Sequence, residues 1–365
     1  MKISAAIARE MHAPLSVETL ELDAPRDDEI LVRLVAVGIC HADAAMRDRH
    51  FPVPHPLVLG HEGAGIVERV GANVRKVTPG DHVIMHYDSC GTCPSCVAHA
   101  PAYCHHFFDR NFAGRRGDGS LSLRCDSGEV FGNFFGQSSF ATYSLCRERN
   151  AVKVAKDLPL EILAPIGCGV QTGAGAIINA LKVKPGDDLA VFGSGSVGLA
   201  AIMAAHICGA TRIIAVDINP ARLDMARSLG ATHVVDARNE DTVAAIKAVT
   251  GAGVAFSFDT TGNAAILRQS VDALAPRGIS GTVGVPAKEK ELKLDIIDMM
   301  TNGKTFRGIV QGESNPDLFF QTLIELYRQG RFPIDRLISH YRFAEINQAM
   351  EDSESGKVVK AVLLF

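Results

Sequence analysis

The sequence predicts an α/β protein with two domains, one mostly β and the other built on a doubly wound parallel sheet. Three observations support this fold class. The first third of the chain alternates apolar and polar residues, as short strands do. Residues 157–285 alternate strand and helix patterns, and a glycine-rich turn joins a strand to a helix within them. A chain of 365 residues is also too long for one ordinary core.

Composition excludes several classes of function. The net charge of -4 gives no basic footprint for nucleic acid or an anionic membrane. The amino terminus, M-K-I-S-A-A-I-A-R-E, reaches a charged residue too soon for a signal peptide. No apolar run approaches the roughly 18 residues that span a bilayer. We therefore expect a cytoplasmic protein that binds neither nucleic acid nor membranes.

The first domain carries a pattern typical of a metal site. Residues 30–40 predict a strand that ends at Cys40, and residues 65–70 predict a strand that follows His61. A thiolate and an imidazole in one local segment suit tetrahedral zinc, which needs a third protein ligand and, if catalytic, an open position. These two segments by themselves do not identify the third ligand.

Nine cysteines are unevenly distributed, and the odd count disfavours a secreted disulfide framework. Four of them crowd into fifteen residues: Cys90, Cys93, Cys96 and Cys104. Four thiolates can enclose one zinc ion and exclude water, so we predict a structural zinc lobe at residues 88–106. An iron–sulfur cluster and four unrelated thiols are the alternatives.

The stretch between this lobe and the second domain has weaker signals. Residues 111–129 are rich in glycine and charge without a clear period, which predicts a surface loop. Residues 134–144 return to strand composition.

The second domain contains a dinucleotide-binding pattern. An apolar strand ends at Phe192, G-S-G-S-V-G follows at residues 193–198, and a helix begins there, so the pyrophosphate is expected at the amino end of that helix. Asp217 ends the next strand, where a carboxylate can bind both ribose hydroxyls and repel a 2′-phosphate, which predicts NAD. The alternative is an ordinary helix-capping aspartate.

The chain then leaves the alternating pattern after about residue 310. Helices are predicted at residues 317–329 and 343–352, followed by a closing strand. We predict a catalytic zinc-binding domain at residues 1–165, a nucleotide-binding domain at 166–310, and a return to the catalytic domain at 311–365.

With G-H-E-G-A-G, the four-cysteine lobe and the nucleotide fold in one order, the whole chain resembles the zinc-dependent medium-chain alcohol dehydrogenases. The resemblance implies a GroES-like catalytic domain and a Rossmann domain. The stretches N-F-A-G-R-R-G-D-G-S, F-F-G-Q-S-S-F-A-T-Y-S and G-R-F-P-I-D-R-L-I look most like the aryl-alcohol branch of that family.

The resemblance assigns the catalytic metal site. It makes Cys40, His61 and Cys168 the zinc ligands, so Cys168 is the third ligand. Glu62 is the acidic residue near the metal that can transiently coordinate it, and Asp43 hydrogen-bonds the ligand imidazole from behind. Together with the cysteine lobe, this implies two zinc ions per chain.

The resemblance also assigns the cofactor residues. Arg222 lies near the adenosine ribose, Thr172 packs beneath the nicotinamide, and His41 and Lys360 face the pyrophosphate. The glycine-rich turn and the acidic residue that ends the next strand complete the predicted cofactor-binding residues: Gly193, Gly195, Ser196, Val197, Gly198 and Asp217.

The implied activity is reversible oxidation of a primary aromatic or allylic alcohol to the aldehyde, with hydride transfer to NAD. The alternatives are a thiol–aldehyde adduct dehydrogenase, a polyol dehydrogenase and, in another class, a non-catalytic NAD-binding protein. Family members pair through edge strands of the nucleotide domain, so the strand after Gly281 predicts a homodimer or homotetramer.

One departure from the family affects the proton. The family usually has Ser or Thr two residues after the first zinc cysteine, and this chain has Ala42; a relay histidine of some relatives is replaced by Ala45. We hypothesise that His41, His86, His50 or ordered water relays the proton instead. The alternatives are that the enzyme turns over slowly, or that the substrate brings its own hydroxyl or amine. Four residues are candidates for lining the substrate pocket: His50, Phe51, His86 and Ile309.

Overall fold

The computed structural model describes residues 1–126, 128–286 and 291–365. The chain divides into two compact units. Unit 1 comprises Met1–Cys168, Asn315–Glu325 and Pro333–Phe365, and unit 2 comprises Gly169–Ser314 and Leu326–Phe332. The sequence predicts boundaries after residues 165 and 310, which is a few residues before the boundaries of the two units, after Cys168 and Ser314. The sequence prediction also places residues 326–332 in the first domain, whereas they belong to unit 2.

The strands in chain order are Lys2–Ala8 (β1), Ser16–Leu22 (β2), Glu29–Gly38 (β3), Leu57–Val58 (β4), Gly63–Val70 (β5), His82–Met85 (β6), Leu123–Cys125 (β7), Gly128–Val130 (β8), Tyr143–Arg147 (β9), Ala151–Val154 (β10), Asp188–Phe192 (β11), Arg212–Asp217 (β12), His233–Asp236 (β13), Val254–Asp259 (β14), Leu274–Thr282 (β15), Thr305–Gly308 (β16), Ile338–Arg342 (β17) and Lys360–Leu364 (β18).

The α-helices are His41–Arg47 (α1), Pro94–Val97 (α2), Phe107–Phe112 (α3), Leu160–Leu163 (α4), Gly169–Gly175 (α5), Ser196–Ile207 (α6), Pro220–Ser228 (α7), Thr242–Thr250 (α8), Ala264–Asp272 (α9), Ile296–Thr301 (α10), Pro316–Arg328 (α11) and Ile346–Glu354 (α12). Within the described part of the chain, no single helix is long and apolar enough to cross a membrane. The bent pair Leu160–Gly167 and Gly169–Leu181 passes that test by length and composition only.

In unit 1, β3 is the strand that positions the metal site. Among the described residues the sheet has the order β10-β6-β5-β3-β18-β17, with β9 also paired to β3, and a second sheet has the order β4-β1-β2-β7-β8. Val37 of β3 lies opposite Gly63 of β5 in an antiparallel pair. Cys40 follows β3 and His61 precedes β5, so the register brings these two residues to the same end of the sheet.

Unit 2 contains a parallel sheet with the order β13-β12-β11-β14-β15-β16 in its described part. This doubly wound order reverses direction between β11 and β14, and ligands of such sheets bind beyond the carboxyl ends of the strands. The strands are apolar on both faces, as the successive buried residues Ala190 and Val191 of β11 illustrate, which is typical of parallel sheets covered by helices. The predicted fold class is confirmed.

Two local predictions were wrong. The segment at residues 111–129 is not only a surface loop: it contains β7, and Arg116 is buried, where its guanidinium binds Glu29 at 2.7 Å and Asp23 at 2.8 Å. The stretch at residues 134–144 becomes a strand only from Tyr143, because a 3-10 turn at Phe134–Gly136 occupies its beginning. In both cases a tertiary contact overrides local composition.

Candidate functional site

Four predicted donors converge in unit 1. One ligand atom from each of Cys40, His61, Glu62 and Cys168 lies within 4.8 Å of the other three. Cys40 caps α1, and Cys168 follows the 3-10 turn Ala164–Gly167. His61, Glu62 and Cys168 are buried, and Cys40 is partly buried. Two sulfurs and one imidazole at such short separations match the three protein ligands of a catalytic zinc site.

Asp43 links the two ligand segments. Its Oδ1 accepts a hydrogen bond from His61 Nδ1 at 2.9 Å and from Gly60 N at 3.1 Å, while its Oδ2 accepts from Cys40 N at 2.9 Å. The carboxylate is fully buried. A proton held on Nδ1 leaves Nε2 as the atom free to coordinate, and Nε2 is buried with no hydrogen-bond partner among the described residues.

The His61 ring is also held by aromatic side chains. Phe135 stacks on it with ring centroids 4.5 Å apart, and Phe134 meets it edge to face at 5.4 Å. The sequence prediction missed both, because residues 134–144 had only strand composition and no signal for a contact with His61.

Glu62 forms a buried ion pair with Lys360. The ammonium lies 3.0 Å from both carboxylate oxygens and also donates to Ile39 O at 2.9 Å. Burial raises the pKa of Glu62 to about 7, and the Lys360 charge opposes that rise. A Cβ on Gly38 would lie 2.0 Å from a Glu62 oxygen, so only glycine fits beside this carboxylate. The predicted contact of Lys360 with pyrophosphate stays a prediction, since in unit 1 its ammonium binds Glu62.

The two thiols share a hydrogen bond. Cys168 donates toward Cys40, which lowers the pKa of Cys40 and raises that of Cys168. Burial acts on both and favours the neutral thiol. A thiolate beside a neutral imidazole is the donor state that binds zinc, and binding would release the remaining thiol proton.

The four cysteines of the predicted lobe also converge. Their sulfurs lie within 4.8 Å of one another: Cys90, Cys93, Cys96 and Cys104. Backbone N–H groups point at the sulfurs, among them Cys93 N to Cys90 Sγ at 3.2 Å and Cys90 N to Cys104 Sγ at 3.2 Å. Such N–H donors stabilise the negative charge of thiolates. The convergence of the four sulfurs excludes the alternative of four unrelated thiols.

The glycine-rich turn of unit 2 has the shape that a pyrophosphate needs. Gly193 has a φ of +91°, and a Cβ on Gly198 would lie 1.8 Å from Gly193 O, so both positions require glycine. A Cβ on Gly195, the residue that caps α6, would meet nothing within 4 Å. The backbone at the amino end of α6 is therefore open to an anion, and Ser196 and Val197 form the first turn of that helix.

Asp217 braces the turn rather than capping a helix. Its oxygens accept from Ser194 N at 2.6 Å and Asn219 N at 2.8 Å, and Asn219 is the residue that caps α7. Nearby in sequence, Arg222 has a buried Nε without a hydrogen-bond partner among the described residues. An unpaired buried donor on the same connection fits the predicted binding of a ribose.

The remaining predicted residues lie outside these clusters, and their roles stay predictions. His41 is exposed at the start of α1, and Thr172 is buried in α5. Burial lowers the pKa of His86 to about 3, so its neutral ring is a weak proton acceptor.

Two protein-family models match the chain. Residues 26–156 match the family model for the alcohol dehydrogenase GroES-like domain, and residues 196–329 match that for zinc-binding dehydrogenases. A geraniol dehydrogenase of Castellaniella defragrans is 45% identical over 363 residues, which cover 99% of this chain and 97% of that protein.

Two crystal structures are similar over the full chain. A zinc-binding-domain alcohol dehydrogenase from Burkholderia ambifaria is 50% identical with a TM-score of 0.98, covering 100% of this chain and 99% of that one. Benzyl alcohol dehydrogenase from Acinetobacter calcoaceticus is 47% identical with a TM-score of 0.97 and the same coverage.

Proposed function

Because the chain belongs to the zinc-dependent medium-chain alcohol dehydrogenase family, we propose that it oxidises primary allylic or aromatic alcohols to aldehydes with NAD, and catalyses the reverse reaction. Support for this substrate class comes from the geraniol and benzyl alcohol dehydrogenases that it resembles at 45% and 47% identity.

The convergence of Cys40, His61 and Cys168 is the observation that carries the proposal. These three residues would hold zinc, with Glu62 close enough to exchange with them. When bound, zinc supplies a Lewis acid that polarises the alcohol or carbonyl oxygen. The chain contributes a buried site, an imidazole whose orientation Asp43 fixes, and the carboxylate of Glu62, whose negative charge is neutralised by Lys360.

The choice of NAD rests on Asp217. Its carboxylate ends β12 and already accepts two backbone hydrogen bonds, so it is held in place beside the open turn at Gly195. A fixed negative charge there would repel the 2′-phosphate of NADP and accept hydrogen bonds from the ribose hydroxyls of NAD.

The route of the alcohol proton is proposed to avoid residue 42. Ala42 has no hydroxyl, and Ala45 is no substitute. Of the three histidine candidates, His86 is the least suitable acceptor because burial holds its pKa near 3. His41, which is exposed beside Ala42, His50 and water therefore remain as the proposed acceptors.

A homo-oligomer and a cytoplasmic location complete the proposal. In the described part of unit 2, β16 ends the order of the sheet, and exposed Ile296, Ile297 and Met300 lie on the preceding α10. An edge strand beside apolar side chains supports pairing of two copies. The cysteines of the described residues form no disulfide bond, which suits a reducing compartment.

A panel of alcohols tests the substrate class. Benzyl alcohol, geraniol, ethanol, a polyol and the glutathione–formaldehyde adduct would each be assayed for NADH and NADPH formation, with metal analysis of the same sample. We expect two zinc ions per chain and the highest kcat/KM with benzyl alcohol or geraniol and NAD. Preference for the adduct or the polyol would replace the proposed substrate, and zinc without turnover of any of them would reject the proposed activity.

A further inference from the structure

The segment at residues 133–138 adopts an unusual backbone directly beside His61. Asn133, Phe135 and Ser138 have φ values of 59°, 50° and 58°, in the left-handed region that is unfavourable for residues with a Cβ. Strain of this kind persists only where surrounding contacts impose it, and it concentrates at functional positions.

Gln137, within this strained segment, is almost completely buried, with 2% of its surface exposed. Its Nε2 donates to His61 O at 3.0 Å and to His86 O at 3.4 Å. Its Oε1 accepts from Gly63 N at 3.1 Å and from Ser139 Oγ at 2.6 Å. Every hydrogen-bonding position of the amide is therefore used, so the side chain has one orientation.

These contacts hold the main chain on both sides of Glu62. The carbonyl before Glu62 and the N–H after it both bind the same amide of Gln137, and Gly38 N binds the Glu62 carbonyl at 3.1 Å. Asp43 binds the ring of His61 at Nδ1, whereas Gln137 binds its carbonyl. The backbone and the ring of this metal ligand are thus held by different residues.

We propose that Gln137 is a positioning residue of the catalytic metal site: its amide fixes the main chain at residues 61–63, so that Nε2 of His61 and the carboxylate of Glu62 face the metal. The proposal rests on the proposed function, which supplies the metal at this position. The strained turn serves to bring this amide and the stacked ring of Phe135 onto one ligand segment.

Gln137→Glu and Gln137→Leu test it. Glutamate has the same shape but places a second oxygen against the carbonyls of His61 and His86, whereas leucine removes all four hydrogen bonds. The control is Asn347→Leu, which removes another amide of unit 1 that holds main chain, since Asn347 of α12 accepts from Leu15 N at 2.8 Å and donates to Leu15 O at 2.9 Å rather than binding residues 61–63.

The measurements are release of metal to a chelator, the visible absorption of the cobalt-substituted protein, and thermal unfolding. We expect both Gln137 variants to release the metal of the Cys40 site about tenfold faster or more, with a shifted cobalt spectrum, since partners behind metal ligands contribute 10- to 100-fold to affinity. Release from the four-cysteine lobe should not change. Asn347→Leu should leave both release rates and the spectrum as in the wild type, even if its unfolding temperature falls.

Three outcomes separate the proposals. Equal release and equal spectra in the Gln137 variants and the wild type would refute the positioning role alone. A normal metal content without oxidation of any alcohol would refute the proposed function alone. A wild-type chain that holds metal only in the four-cysteine lobe would refute both.

Discussion

Replacing Asp43 by Asn is expected to weaken metal binding at the Cys40 site by about 10- to 100-fold. The carboxylate accepts from His61 Nδ1 and Gly60 N on one oxygen and from Cys40 N on the other. An amide has a single oxygen, so its NH₂ group must face at least one of these donors. Each hydrogen bond to a charged group contributes about 1.5–3 kcal/mol, and about 1.4 kcal/mol corresponds to a tenfold change in affinity.

Competition with a chelator measures this loss directly, with the four-cysteine lobe as an internal reference. Asp81→Asn is the matched control, because Asp81 is also buried in unit 1 but binds Thr78 N at 2.9 Å and Lys153 Nζ at 2.8 Å instead of metal-binding segments. The control should retain wild-type affinity. If Asp43→Asn also retains it, the carboxylate does not hold the ligands in place.

Three further predictions concern the proton, the cofactor and the lobe. Ala42→Thr should change turnover of benzyl alcohol by less than about threefold and leave its pH profile in place, because another group already carries the proton; a gain of about tenfold or more would mean that the proton lacks an efficient acceptor without a hydroxyl at residue 42. Asp217→Asn should shift the ratio of kcat/KM for NADP over NAD by at least about tenfold toward NADP, because a like charge near the phosphate is removed; an unmoved ratio would assign cofactor choice elsewhere. Cys96→Ser should remove one zinc ion per chain and lower the unfolding temperature by about 5–10 °C, as loss of a bound ligand does; retention of both metals would show that three cysteines suffice.

The sequence was most informative where chemistry depends on local spacing. The four-cysteine lobe, the turn at residues 193–198 and the acidic residue that ends β12 each lie within one short segment, so their patterns predicted the local geometry. The spacing of Cys40 and His61 indicated a metal site, and the family resemblance was needed to add Cys168.

Contacts between distant segments could not be predicted in this way. Gln137 and His61 are far apart in the chain, and the amide reaches the ligand only because β5 and β6 lie beside a strained turn. Lys360 showed the same limit. The family resemblance assigned it to the pyrophosphate, whereas its ion pair with Glu62 depends on the pairing of β18 with β3.

The pairing of β18 with β3 also determines when the metal site is finished during synthesis. All four clustered donors exist once residue 168 has been made, but Lys360 and β18 are translated about 190 residues later, roughly 10 to 40 seconds at 5–20 residues per second. Until then Glu62 lacks the ammonium of Lys360, and residues 36–38 of β3 lack their partner strand, although β9 already pairs with residues 29–33. A ribosome-bound chain therefore presents a metal-binding cluster in which the negative charge of Glu62 is not neutralised. Lys360, the first residue of β18, supplies the opposite charge only when the last strand has been made.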